Sequence, residues 1–242
     1  MDTTFPLATN SERPGAVGFA LSARGWIAVS ALFVDALING ALFVGRLREG
    51  SLIRDFVAGR SVADADLEDS DAFINSLTEA HLAVFWVAAF CFLVWIYSAN
   101  KRAHNLAPAG MRFTPWACVL WFFAPFANLI IPLRAIREIW RASDPTVDRA
   151  DPLAWQNAPI TWLLGVWWVA WIGTNVISRI VPSQLTGKES VERLLQISAT
   201  AGWVSGAIAL SAVLACVVVT LIESRLRASE DRVQLEPRVA TP

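Results

Sequence analysis

The sequence predicts an all-α polytopic membrane protein, a bundle of about five transmembrane helices with one short amphipathic helix in the interface. Three observations predict it. Apolar residues make up 55% of the 242 residues and charged residues 17%, whereas a soluble domain carries about 45–50% and about 25%. Mean hydropathy is +0.46. Placement is the third. Five apolar runs, 26–45, 82–98, 113–133, 160–178 and 199–222, together hold one of the forty-one charged residues, Asp35. Each run has the length that crosses roughly 30 Å of hydrocarbon, about 17–25 residues at 1.5 Å rise. A helix buried in a water-soluble core keeps a charged stripe instead.

The N-terminal stretch 1–24 carries Pro6 and Pro14 among mixed polar residues and reads as a disordered tail. The membrane domain is expected over 25–222. Its first run is too long for the apolar core of a cleaved leader, and Arg24, Arg46 and Arg48 flank it as anchors. The segment 46–81 reads as a solvated acidic loop, with Ser70 or Asp71 capping the helix that feeds the second run. Its acidic cluster from Asp64 to Asp71 fails as a calcium loop. Asp69 and Asn75 stand where that loop needs Gly and Glu.

The third run is punctuated by Pro115, Pro125 and Pro132. Pro115 suits a helix start, and Pro125 breaks the helix mid-run. The run therefore either crosses the membrane or returns to the side it left. Asn128 is the nearest side chain able to answer the carbonyl that Pro125 frees, and Pro132 is expected to stop the run. Residues 133–142 then gather Leu133, Ile136, Ile139 and Trp140 on one face and Arg134, Arg137 and Arg141 on another, the pattern of an interfacial helix on anionic headgroups. Trp167, Trp168 and Trp171 lie inside the fourth run and read as packing residues, with a stacking wall as the sharper alternative. In the fifth run Gly202 and Gly206 stand four apart, a helix-packing spacing that serves the bundle or a second copy. The tail 223–242 is expected to be disordered.

The stretch from about Phe85 to Pro145 carries a resemblance. Trp95-Ile96-Tyr97, Ala103-His104-Asn105-Leu106 and Arg112-Phe113-Thr114-Pro115-Trp116 are followed by Trp121-Phe122-Phe123-Ala124-Pro125-Phe126-Ala127-Asn128-Leu129. Pro132 and Glu138-Ile139-Trp140-Arg141-Ala142-Ser143 complete the pattern. It resembles the bacterial family catalogued as domain of unknown function 4328. Ala124 departs from it, standing where a larger aliphatic residue is expected. The resemblance implies a multi-pass protein of the bacterial cytoplasmic membrane, with no assigned activity.

The composition excludes several function classes. A net charge of −1 argues against nucleic acid as a partner, which demands clustered positive charge. Cys91, Cys118 and Cys216 show no metal-ligand spacing, and His81 and His104 stand too far apart on one helix to share an ion. No cofactor, metal or catalytic residue is expected. HExxH, GxSxG and Walker A patterns are all missing from the sequence. The only charged residue inside a run is Asp35, whose insertion costs about 2.5–3.5 kcal/mol. Asn39 lies one turn further on the same face. The expected role is a non-enzymatic interaction or scaffold protein in the lipid bilayer, alone, as a homo-oligomer or with a membrane partner. The alternative is a small transporter or channel whose path uses Asp35, Asn39, Asn128 and the Pro125 break.

Overall fold

The computed structural model describes residues 21–107, 109–184 and 191–239, and all regular structure among them is helical. Six α-helices follow in chain order: α1 (Ala23–Val57), α2 (Asp64–Leu106), α3 (Pro115–Leu120), α4 (Ile131–Ala142), α5 (Leu163–Gln184) and α6 (Val191–Val239). Three of them, over Ala23–Val57, Asp64–Leu106 and Val191–Leu235, are long and apolar enough to cross a membrane. Leu163–Ser178 is a shorter apolar helix.

Ser22 caps α1 by accepting from the Gly25 N–H at 3.0 Å, which satisfies one of the helix's orphan donors. The helix then runs on past the end of its apolar stretch. Gly59, at φ +73°, turns the chain, and α2 starts at Asp64 with Asp64 and Asp66 in its first turn, the favourable end of the helix dipole. The expected acidic loop 46–81 therefore shrinks to residues 58–63. Ile74, 2% exposed, and Phe73 pack against Gly45, and this contact draws the polar segment into a helical hairpin. Ser70 and Asp71 lie inside α2, not at its cap.

The third run is not a spanning helix. Thr114 caps α3 and Pro115 opens it, but the helix ends after six residues, about 9 Å. Pro125 lacks the N–H that an α-helix would use, and the chain turns over Trp121–Pro125 into a short 3-10 turn, Ala127–Leu129. Phe126 stands at φ +61°, a costly conformation for a bulky residue. Pro132 does not stop the run; it lies in the first turn of α4, where its missing N–H costs nothing. α4 matches the expected amphipathic helix, with its apolar face turned into the protein and Arg134 exposed on the other. Pro132, Ala135, Ile136, Ile139, Trp140 and Ala142 are all buried.

The stretch from Glu223, expected as an irregular tail, continues α6 as helix to Val239. The expected N-terminal tail lies outside the described residues up to position 20, and Ser22 to Arg24 form the start of α1.

Side-chain contacts give the helix directions. Ser22 meets Glu223, Val29 meets Cys216, and Arg46 meets Ser198, so α1 and α6 are antiparallel. Arg24 meets Ser98 and Asp35 meets His81, so α2 is antiparallel to α1. One end of the molecule thus gathers the start of α1, the end of α2, α4 and the later part of α6. The opposite end holds the α1–α2 turn and the start of α6. Trp116 on Tyr97 and Phe122 on Phe92 show α3 descending beside α2 from the first end. Trp95, Ile96, Ile136, Ile139, Leu164 and Ile222 form the centre of the core.

Candidate functional site

Two polar centres lie within this apolar frame. The first is between α1 and α2. Asp35 and Asn39 face α2 because they sit one turn apart, and His81 comes opposite them from the antiparallel helix. Asn39 Nδ2 donates to the Asp35 backbone carbonyl at 2.9 Å and lies 2.9 Å from His81 Nδ1. Asp35 Oδ1 is 3.1 Å from the same nitrogen. Nδ1 can accept from Asn39 Nδ2 or donate to the Asp35 carboxylate, but not both at once. The Asp35 side chain is 7% exposed and that of His81 23%.

The second centre closes the first end. Glu223, 1% exposed, accepts from the Ser22 N–H at 3.0 Å, Trp95 Nε1 at 3.0 Å and Arg102 Nη1 at 2.9 Å. Arg102 also forks onto Glu230 through Nε and Nη2, both at 2.8 Å. Fully satisfied, a buried carboxylate in this position fixes α1, α2 and α6 to one another. Arg225 pairs with Asp144 at 2.8 Å and lies 4.2 Å above the Trp140 ring, a cation–π distance. Arg149 donates to the carbonyls of Leu106, Ala142 and Asp144. Burial pushes the Asp144 carboxyl up, but hydrogen bonds from Thr146 and then Arg225 outweigh it and hold the group below the usual range.

The broken third segment is tied at its mouth. Glu138 on α4 accepts from the N–H groups of Arg112 and Phe113 at 3.0 and 3.1 Å, so the segment's start lies against its return. Asn128 does not answer the Pro125 break. Its Oδ1 is buried without a partner, and Asp35 pairs with Asn39 and His81, not with Asn128. Trp140 Nε1 donates to the Pro159 carbonyl and Arg141 Nε to that of Ala158. Of the three α4 arginines, Arg134 is the exposed one. Trp168 stacks on Trp171 at 4.9 Å and donates to the Leu129 carbonyl at 2.8 Å. Added Cβ atoms at Gly202 and Gly206 would meet Arg46 and Phe43 of α1, each at 3.2 Å, which sets the small-residue face against α1.

Sequence alone marks neither His81 as a partner of Asp35 nor Arg102, Glu223, Glu230, Asp144 and Arg225 as a locked cluster. Their shared signal is position. Each lies just beyond an apolar run or short helix, where flanking charge looks like solvated anchoring. Among the described residues, no group of three or more His, Cys, Asp or Glu side chains is placed to hold a metal ion.

No curated protein and no solved structure matches the chain. A family model described as a domain of unknown function, DUF4328, matches residues 58–224. These residues reach from the α1–α2 turn to the Glu223 centre and include the whole Pro125 segment. With well over half of its length matched, the chain belongs to the DUF4328 family.

Proposed function

We propose that the chain is an integral membrane protein with an interaction or scaffolding role, non-enzymatic, and that its first end is the platform it presents. The observation that carries this is the second polar centre. Arg102, Glu223, Glu230, Asp144, Arg225 and Arg149 spend their charge on one another and on backbone carbonyls, locking α1, α2, α4 and α6 together. Large apolar side chains cover the outside below it, with Trp26, Phe33, Leu37, Trp86, Phe90, Trp203 and Leu210 all exposed. Water does not favour such a surface, and lipid does.

In this reading α1, α2, α5 and α6 cross, α5 having 22 residues or about 33 Å. The α3–α4 segment enters and returns on one side. The start of α1 and the end of α6 then share the first end, together with twelve of the eighteen described Lys and Arg residues, which favours a first end on the cytoplasmic side of a bacterial plasma membrane. Reporters fused after Arg102, after Arg134 and after Val239 are expected to be cytoplasmic, and one after Gly59 external. A reporter after Arg134 that differs from the one after Arg102 overturns the re-entrant arrangement.

The scaffold role is tested by photo-crosslinking in native membranes from Asp148 and Leu153, both exposed on the first end. Discrete protein adducts are expected there and none from Arg60 at the opposite end. Equal adducts from both ends, or none from either, sink the platform. A second reading, a small proton-coupled transporter, is favoured by the Asp35–Asn39–His81 cluster alone. Asp35→Asn would then abolish proton flux into liposomes, whereas a structural cluster gives the same leak before and after the change.

A further inference from the structure

A groove of about 550 Å³ runs along the α1–α2 hairpin near the opposite end of the molecule. Leu37, Gly40 and Val44 line its α1 side and Phe73 its α2 side, with Arg48 and Ser70 among its polar lining. A Cβ added at Gly40 would meet nothing within 4 Å, whereas one at Gly45 would meet Phe73 at 3.2 Å. The hairpin is therefore packed at Gly45 and open one turn earlier. The groove is apolar along most of its length, and two polar features break that pattern.

Ser70 is 5% exposed, and no hydrogen bond reaches its hydroxyl among the described residues. Its oxygen is not sealed off but reaches the groove, where it is open to a ligand that supplies the partner. Arg48 is exposed on the same groove and has no ion pair among the described residues. Guanidinium and hydroxyl together suit a phosphate. Beyond them the first turns of α2 carry Asp64, Asp66, Glu68, Asp69 and Asp71, which oppose a ligand of net negative charge and favour a primary ammonium.

From this combination we infer that the groove holds a zwitterionic aminophospholipid, one acyl chain against Leu37, Gly40 and Val44. Its phosphate sits on Arg48 and Ser70, and its ammonium faces the acidic turns of α2. The inference rests on the membrane reading above, under which this lipid belongs to the outer leaflet. It adds a headgroup-selective site to a surface that otherwise takes lipid of any kind.

The test is native mass spectrometry of the full chain, delipidated in detergent and titrated with phosphatidylethanolamine, phosphatidylcholine and phosphatidylglycerol of matched acyl chains. Phosphatidylethanolamine is expected to bind best. Arg48→Ala should weaken it about fivefold, the loss of one basic contact to a headgroup. Gly40→Leu should remove it, because the new side chain enters the groove at a point where a Cβ meets nothing within 4 Å. Gly173→Leu, at another glycine with open space, should leave binding as it was. Equal binding of the three lipids, or full binding by Gly40→Leu, overturns the site. Alkaline extraction of the same membranes separates the two failures. A chain that stays in the pellet but shows no headgroup preference loses the lipid site alone, and a chain released to the supernatant loses the membrane reading as well.

Discussion

Three side chains, Asp35, Asn39 and His81, make the polar contact between α1 and α2. His81 Nδ1 lies within hydrogen-bond distance of both Asp35 and Asn39, so removing any one of the three leaves a buried polar group unanswered. His81→Leu and Asn39→Leu should each destabilise the chain by about 1–3 kcal/mol, the cost of a stranded buried donor or acceptor. Asp35→Asn keeps an acceptor in place and should cost less. Thermal unfolding in detergent ranks the three, and an unperturbed His81→Leu would remove the cluster from the stability account. Asp144 offers a pH test. Its carboxyl is held below the ordinary value in the folded state, so its stabilisation is full above the unfolded value of about 3.9 and fades as pH falls through the folded one. Asp144→Asn should therefore lower Tm by a constant amount at neutral pH, and the gap to the parent should close below about pH 4. Asp35 was legible in the sequence because a lone charge inside an apolar run is conspicuous. Its partner was not, because histidine at the edge of a run looks like any other flanking residue until the antiparallel helix brings it opposite.

Helix breaks were easier to read than helix ends. Pro125 and Pro132 foretold that 113–133 would not be one smooth helix, since a missing N–H is a local property. What the break does is not local. It lets the chain return, and Glu138, thirteen residues on, ties that return to the segment's start by taking the Arg112 and Phe113 N–H groups. Glu138→Ala should strand both donors and cost about 1–3 kcal/mol, while Glu138→Gln, which keeps one acceptor, should cost less. For Asn128 the expectation from sequence reverses. Its Oδ1 is buried and unbonded, so Asn128→Leu should leave stability level or raise it; a loss would show that Asn128 has a partner. The same limit hid the extent of α1, α2 and α6. Hydropathy marks where a helix is apolar, and these three run on through charged sequence because facing helices support them, as Gly45 does for Phe73 and Ile74.

At the scale of the whole molecule, the apolar runs announced an all-helical frame, and the charges that lock it were mistaken for solvated ends. Arg102 is the keystone, joined to Glu223 and Glu230 at once. Arg102→Ala leaves Glu223 buried with its counter-charge gone and should cost about 3–5 kcal/mol, enough to lower the yield of folded protein in detergent. A double variant, Arg102→Met with Glu223→Leu, should recover part of that loss, because it removes the orphaned charge but leaves the Ser22 N–H and Trp95 Nε1 without their acceptor. α1 has its most extensive contact with α6, the two being joined at Ser22–Glu223 and again at Arg46–Ser198. Synthesis runs in the other order. α1 leaves the ribosome long before α6, with α2 to shelter it meanwhile, so the docking of α6 covers a face of α1 that has waited for its principal neighbour.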